Sequence, residues 1–430
     1  MALTYRQALD YLVMTGSRGI KEGLQRTEAL LEHLDHPEAG LRGVLVAGTN
    51  GKGSTCALIE SACCAAGLRT VMLVKPHLCT YRERIVLDGE PISDGAFAAL
   101  VDEMMPVVDR VEPIAGAPTQ FEILTALGVL AAQRHRPDVV ICEVGMGGRL
   151  DSTNVLDLGV AAITSIALDH RQVLGDTIAE IAFEKAGIIK PDNDIVTSAR
   201  GEALTVIRNR ASAVGARQVL AIDDEIKATT RSRGRDGVEV TVRAADLDIT
   251  TRLPLLGAFQ GDNAAVAAGC CAVLRTRGVP VDSAAIVSGF ATVSWPGRLQ
   301  WLALDPPLLI DGAHNPAAIA AVVPVVREVC GERRIITLFG AMADKDLAEM
   351  LSALRPLGTV PVFAQAGTPR AASATDLARL WGAGARAISS LPDALAAARM
   401  LAAGDGVVFV CGSIYLAGDV LHLVGGDHEG

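Results

Sequence analysis

Lys52 stands among glycines in the run Val44-Leu45-Val46-Ala47-Gly48-Thr49-Asn50-Gly51-Lys52-Gly53-Ser54. A β-branched apolar stretch, a Gly-rich corner and then an Ala/Leu-rich pattern give the order strand, loop, helix. Backbone N–H groups at a helix start can cradle phosphate oxygens, and a lysine adds a point charge. Gly48, Gly51 and Gly53 permit close backbone approach and positive φ. The strict pattern GxxxxGK[ST] is not met, because Val46 holds the first glycine position and Gly53 follows the lysine. A strand–helix turn that binds nothing is the plain alternative. The strand before, the helix after and the Lys-Gly-Ser ending together point to a bound nucleotide.

Three further segments could carry chemistry. Val139-Val140-Ile141-Cys142-Glu143 is an apolar strand ending in a carboxylate, followed by Val144-Gly145-Met146-Gly147-Gly148-Arg149-Leu150-Asp151. A strand-end carboxylate beside a phosphate loop offers Mg²⁺ a hard oxygen ligand; an ion pair with Arg149 is the alternative. Asp169-His170 follows the apolar run Val160–Ser165, and a lone histidine there is more often a structural hydrogen-bonder than a ligand. Lys185, in Glu184-Lys185-Ala186-Gly187-Ile188, reads from its neighbours as a helical lysine in a local ion pair. No Ser–His–Asp or Cys–His nucleophile set is evident.

The elements that must position these groups alternate. Val44–Ala47, Thr70–Val74, Val139–Glu143 and Val160–Ser165 read as buried strands, and Ser54–Ala66 as a helix ended by Gly67. This is the pattern of a parallel sheet with helices on both faces. Ile226–Leu253 breaks it with a hairpin signal, Arg235-Asp236-Gly237 before Val238–Val242. After Trp295-Pro296-Gly297 the alternation restarts, with strands at Leu308–Ile310, Arg334–Phe339, Val360–Phe363, Arg386–Ser389 and Val407–Val410. Helices such as Asp376–Trp381 and Asp393–Ala403 separate them. The expected fold is α/β, a domain over residues 1–295 with a parallel sheet and a smaller doubly wound one over 296–430.

Composition narrows the partners. The 430 residues carry 39 basic and 49 acidic side chains, a formal charge of −10, which argues against nucleic acid as main partner. Arg231, Arg233 and Arg235 form only a short cluster beside Asp236. Apolar stretches such as Leu158–Leu168 and Val407–Gly418 are too short for a membrane span. The first 20 residues lack a signal-peptide core. Nine scattered cysteines without a CxxC spacing read as reduced thiols, so a cytoplasmic location is expected.

Ala-Gly-Thr-Asn-Gly-Lys-Gly-Ser (47–54) resembles the phosphate loop of the Mur ligase superfamily, in its folylpolyglutamate synthase/dihydrofolate synthase branch. The likeness continues in order through Glu143, Asp169-His170, Glu184-Lys185-Ala186-Gly187, Gly257-Ala258-Phe259-Gln260-Gly261-Asp262-Asn263, Trp295-Pro296-Gly297-Arg298, Asp311-Gly312-Ala313-His314-Asn315-Pro316 and Gly412-Ser413-Ile414-Tyr415. It implies a P-loop ATPase-like first domain and a Rossmann-like second, with the active site between them. It also implies ATP on Gly48, Thr49, Asn50, Gly51, Lys52, Gly53, Ser54, Asn263, Arg298 and Asp311. Two Mg²⁺ ions are implied on Glu143, His170 and a carbamylated Lys185, with Lys52, His170, Lys185 and His314 as catalytic residues. Thr119, Gln120, Phe121, Glu122, Leu150, Asp151, Ser152, His314 and Ser413 would face substrate.

The implied reaction is the ATP-dependent addition of L-glutamate to folate, and to dihydropteroate, through an acyl phosphate, by a monomer. Three departures stand out. Phe259 replaces the family's usual His, and Lys75, in Val74-Lys75-Pro76-His77, replaces a serine whose hydroxyl ligates Mg²⁺ in the family. Lys21, in Ile20–Arg26, stands where forms using dihydropteroate often carry Asp. The rivals are a Mur-type amino-acid ligase acting on another carboxylate, such as a UDP-sugar peptide, and a non-ligase P-loop ATP switch. Only 47 residues precede Gly48, few for a UDP-binding domain.

Overall fold

A computed structural model describes residues 3–19 and 21–425; Ile20 lies outside the described residues. The chain divides into two compact units: Met1–Thr229 with Val240–Arg252 and Gly261–Val293, and Thr230–Glu239 with Leu253–Gln260 and Ser294–Gly430. Both are α/β.

The first unit holds an eight-stranded sheet: β1 (Gly43–Ala47), β2 (Thr70–Leu73), β3 (Ile85–Leu87), β4 (Glu90–Pro91), β5 (Val139–Glu143), β6 (Gly159–Ile163), β7 (Asp194–Thr197) and β8 (Gln218–Ala221). Their order is β4-β3-β2-β5-β1-β6-β7-β8. Strands β2, β5, β1, β6, β7 and β8 run parallel, while β3 and β4 close one edge antiparallel. Alternate residues Leu45, Val71, Val140, Cys142, Ala161 and Ile163 join Phe97 and Leu127 of the covering helices in one core. The intervening Val44, Val46 and Ile141 are buried too, so both faces are covered and the strands read as unbroken apolar runs. Central β1 lies between β5 and β6, with Val46 opposite Glu143 and Ala47 opposite Ile163. That order brings the Gly48, Glu143 and Thr164 corners to one edge.

The hairpin region carries one more strand than expected, in the sheet order β11-β10-β9: β9 (Lys227–Ser232), β10 (Val238–Ala244) and β11 (Leu247–Leu253). The turn Gly234–Asp236 joins β9 to β10.

The second unit's six-stranded sheet comprises β12 (Gln300–Leu302), β13 (Leu308–Ile310), β14 (Ile335–Phe339), β15 (Val360–Phe363), β16 (Arg386–Ala387) and β17 (Val407–Cys411), ordered β12-β13-β17-β14-β15-β16. Only β12 is antiparallel. Leu309, Phe339, Phe363 and Phe409 pack with Ile319, Val326 and Met350 in its core. Seven of the nine cysteines are buried, Cys64 is half-buried and Cys79 is exposed. Among the described residues no helix is long and apolar enough to cross a membrane.

Candidate active site

The phosphate loop is built by backbone geometry and stapled from β6. Gly48 has φ 145°, and a Cβ there would overlap Thr164 Oγ1. Gly51 has φ 88° and precedes the helix Lys52–Ala65 without a side-chain cap. A Cβ at Gly51 would run into Asn263 Oδ1, so Asn263 lies directly against the loop. The Thr49 N–H donates to the Ser165 carbonyl at 2.8 Å, and Thr49 Oγ1 accepts from the Ala167 N–H at 3.1 Å. Thr164 Oγ1 and Ser165 Oγ donate to the Asn50 carbonyl at 2.7 and 3.2 Å. Lys52 Nζ donates to the Gly48 and Thr49 carbonyls, each at 3.2 Å. The helix starts at Lys52, so Gly53 and buried Ser54 point first-turn N–H groups toward the loop.

Glu143, 5% exposed, ends β5 beside this loop and accepts the Lys75 N–H at Oε2, 3.1 Å. Asp151 turns inward: Oδ2 accepts the Gly145 and Met146 N–H groups, and Oδ1 accepts the Thr153 N–H and hydroxyl. It thereby caps the short helix Ser152–Val155 and fixes the Gly-rich corner after β5. Arg149 pairs with Glu184 at 2.8 Å, not with Glu143.

Lys185, 4% exposed, sits in the helix Ile178–Ala186 and donates to the Gly48 carbonyl at 2.8 Å. Burial first, and then the neighbouring Lys52 charge, lower its amine to a pKa of about 7. His170 has φ 51° and opens the helix Arg171–Leu174; it is exposed, its Nε2 3.9 Å from Asp169.

Glu143 and Ser54 present a carboxylate and a hydroxyl, oxygen donors that suit Mg²⁺. Magnesium usually takes one or two carboxylates plus substrate phosphates, not an all-protein cage. Among the described residues no three His, Cys, Asp or Glu side chains gather into such a cage. The residues fit an ion that arrives with a nucleotide.

The segment 119–122 is held by local structure. Thr119 and Glu122 form a capping box at the start of the helix Gln120–His135. Glu122 also takes the Arg26 guanidinium at 2.8 Å, a pair 13% and 3% exposed. Gln120 donates to the Leu12 carbonyl and to Tyr81 Oη. Phe121 packs under the Lys75 ammonium, and the Ser152 hydroxyl lies 2.6 Å from that of Thr125. Leu150 is half-buried. No role was read from sequence for Thr125, inside the Gln120–His135 helix, or for Thr164 and Ser165; for the latter two, hydroxyls at the end of a strand next to the phosphate loop were the available signal.

In the second unit, Asp311 directly follows β13 and is buried. Its Oδ2 accepts the Leu299 N–H at 2.8 Å and its Oδ1 the Ala313 N–H at 2.7 Å. Burial raises this carboxyl, opposed by the Arg298 charge. The Arg298 guanidinium donates to the Gly297 carbonyl and lies where a Cβ at Gly312 would be. His314 Nδ1 is 2.9 Å from the Gly312 carbonyl and so carries the proton there. Asn315 caps the following helix Pro316–Cys330, and Ser413 Oγ accepts the Tyr415 N–H. One strand-end cluster thus gathers Arg298, Asp311 and His314.

The Mur ligase middle domain matches residues 46–271, and the Mur ligase glutamate ligase domain matches residues 297–414. A Bacillus subtilis relative named dihydrofolate synthase/folylpolyglutamate synthase is 35% identical, covering 98% of this chain and 99% of its own. A Halobacterium salinarum relative, named "Probable bifunctional folylpolyglutamate synthase/dihydropteroate synthase", is 37% identical over 96% of this chain. This chain spans about half the length of that relative, 51%. The solved structure of Mycobacterium tuberculosis folylpolyglutamate synthase complexed with ADP superposes with a TM-score of 0.92 at 32% identity, covering 98% of this chain and 99% of that one. A folylpolyglutamate synthase–AMPPCP–folate complex gives 0.88 at 31%, covering 99% and 100%. With its loop, its strand-end acids and these likenesses, the chain belongs to the Mur ligases, in the folylpolyglutamate synthase/dihydrofolate synthase family of ATP-dependent ligases.

Proposed function

We propose that the chain joins L-glutamate to folate, and to dihydropteroate, at the cost of ATP, as a cytoplasmic monomer. The observation that carries the reading is the gathering of the Gly48–Ser54 loop, Glu143, Asn263 and Lys185 at one edge of the first sheet. The folate and ADP complexes of its relatives support the substrates, and nine cysteines outside any disulfide support the compartment.

In this reading the loop N–H groups and Lys52 hold the nucleotide phosphates. A substrate carboxylate oxygen attacks the γ-phosphorus, and the bond to ADP breaks. The glutamate amine, having lost a proton, then attacks the acyl carbon, and phosphate leaves with the electron pair. Glu143, His170 and Lys185 would hold Mg²⁺, whose chemistry is to neutralise crowded phosphate oxygens. Lys185 is suited to become a carbamate: its buried amine is neutral above pH about 7, and the nitrogen can attack CO₂ and release a proton. Arg298 and Asp311 would contact the nucleotide, with His314 and Ser413 receiving glutamate. The dihydropteroate activity is the part that Lys21 bears on: its ammonium reaches the Ala117 carbonyl at 3.2 Å, beside the segment 119–122.

The deciding assay measures ADP release with glutamate plus tetrahydrofolate, dihydropteroate or a UDP-muramoyl peptide, with product masses. Release with the folates and a glutamyl mass increment is expected. Release only with the UDP-muramoyl peptide overturns the reading.

A further inference from the structure

Lys75 is a half-buried cation for which the ligase chemistry above has no use. It follows β2, whose neighbour β5 runs parallel and pairs Leu73 with Cys142, so Lys75 and Glu143 leave the sheet at the same edge. The Lys75 main-chain N–H holds the Glu143 carboxylate at 3.1 Å. Its side chain turns to the Gln120–His135 helix: Nζ donates to Thr125 Oγ1 at 3.1 Å and lies 4.2 Å from the centre of the Phe121 ring. A hydroxyl acceptor and an aromatic face both favour an ammonium. Phe121 cannot retreat easily, since it packs so close to Gly145 that a Cβ there would overlap its ring. Burial lowers this amine from its ordinary range, while the nearby Asp151 and Glu143 carboxylates favour its charged form; the hydroxyl and the ring hold the nitrogen in place beside them.

A divalent cation on Glu143 would meet that ammonium beside a carboxylate that is itself buried, where water screens the repulsion less than in bulk. The phosphates of a nucleotide bring the negative charge that offsets the repulsion. We propose that Lys75 is a charge barrier that keeps Glu143 from taking a divalent cation alone, so that metal enters this edge only together with nucleotide. Lys75 is a positioning residue here, acting through Glu143, and the inference rests on the reading of Glu143 as a metal ligand.

The test is Mn²⁺ binding by calorimetry and electron paramagnetic resonance, with and without AMPPCP. It compares the full chain with Lys75→Met, Lys75→Gln, Lys75→Arg and Glu143→Gln, and with Lys75→Met/Glu143→Gln. Without nucleotide, Lys75→Met and Lys75→Gln should bind Mn²⁺ at least tenfold more tightly than wild type. Lys75→Arg, which keeps the charge, should bind as weakly as wild type. The double variant should lose the gain. With AMPPCP the difference between wild type and Lys75→Gln should shrink. Lys75→Gln retains a polar group for Thr125, so the comparison survives if Lys75→Met fails to fold.

Unchanged Mn²⁺ affinity in Lys75→Gln, with Glu143→Gln still weakening Mn²⁺·AMPPCP, overturns the barrier and leaves the metal reading intact. Tight binding by Lys75→Arg overturns it too, because charge would then not be the cause. If Glu143→Gln leaves Mn²⁺·AMPPCP affinity unchanged, the metal reading itself falls, and the barrier with it.

Discussion

The ammonium of Lys185 and the carbonyl of Gly48 are 2.8 Å apart although 137 positions separate them in the chain. The helix Ile178–Ala186 thereby grips the first residue of the phosphate loop, and the same nitrogen is the proposed carbamylation point.

Lys185→Ala should therefore lower turnover by about 100-fold or more, the scale of losing one preorganised electrostatic group. Lys185→Arg should fare no better, because a guanidinium cannot form a carbamate. AMPPCP affinity, measured by calorimetry, should fall by much less. A variant with near-normal turnover would make Lys185 an ordinary structural lysine.

The same amine gives a pH signature. Its pKa is lowered from 10.5 to about 7 by burial and by Lys52, so between those values the unfolded chain binds the proton and the folded chain does not. Stability from this group accordingly rises with pH from about 7 to 10.5 and is flat below 7. In CO₂-free buffer, wild type should gain on Lys185→Met between pH 7 and 9, at up to about 1.4 kcal/mol per pH unit. Parallel stability curves in urea would contradict this.

Gly51→Ala should weaken nucleotide binding at least tenfold while leaving the fold in place. The left-handed φ of 88° costs a side chain about 1–2 kcal/mol, and the added Cβ displaces Asn263 from the loop. Fluorescent nucleotide titration alongside thermal unfolding separates the two effects.

Breaking the Arg26–Glu122 pair should destabilise the first unit by about 3–5 kcal/mol, since each single change strands a buried charge. Glu122→Ala should be the worse variant because it also removes the capping box. The double replacement Arg26→Met/Glu122→Met should recover part of the loss. Additive losses in denaturant titration would show that the pair does not act as one.

In the second unit, Asp311→Ala leaves two buried N–H groups, those of Leu299 and Ala313, without acceptors. At about 1–3 kcal/mol each, unfolding should come markedly earlier. Asp311→Asn keeps one acceptor and should lose roughly half as much.

Buried parallel strands were the most legible feature, because an apolar run with polar ends allows few readings. Val139–Glu143, Leu308–Ile310 and Val360–Phe363 have the bounds expected from sequence. The helix after the loop begins at Lys52 and not Ser54, since the cap is a left-handed glycine that offers no side-chain signal. The strand read as Val160–Ser165 stops at Ile163, where Thr164 and Ser165 spend their hydroxyls on the Asn50 carbonyl. Thr-x-x-Glu at 119–122 is a capping-box spelling that could have been read as such. Its partner Arg26, 96 residues away, could not, because pairing at that distance is decided by how the helices pack.

The uneven burial of the thiols makes the chain a ready-made optical instrument. Seven cysteines are enclosed, and burial drives Cys142 to about 12 and Cys270 out of reach of any neutral-pH reagent. Cys79 alone among the described residues is exposed, two residues before Tyr81 and four after Lys75. A single maleimide dye would attach there without engineering. It would ride on the segment that leads from Lys75 to β3 and follow its motion as nucleotide, metal and folate are added in turn.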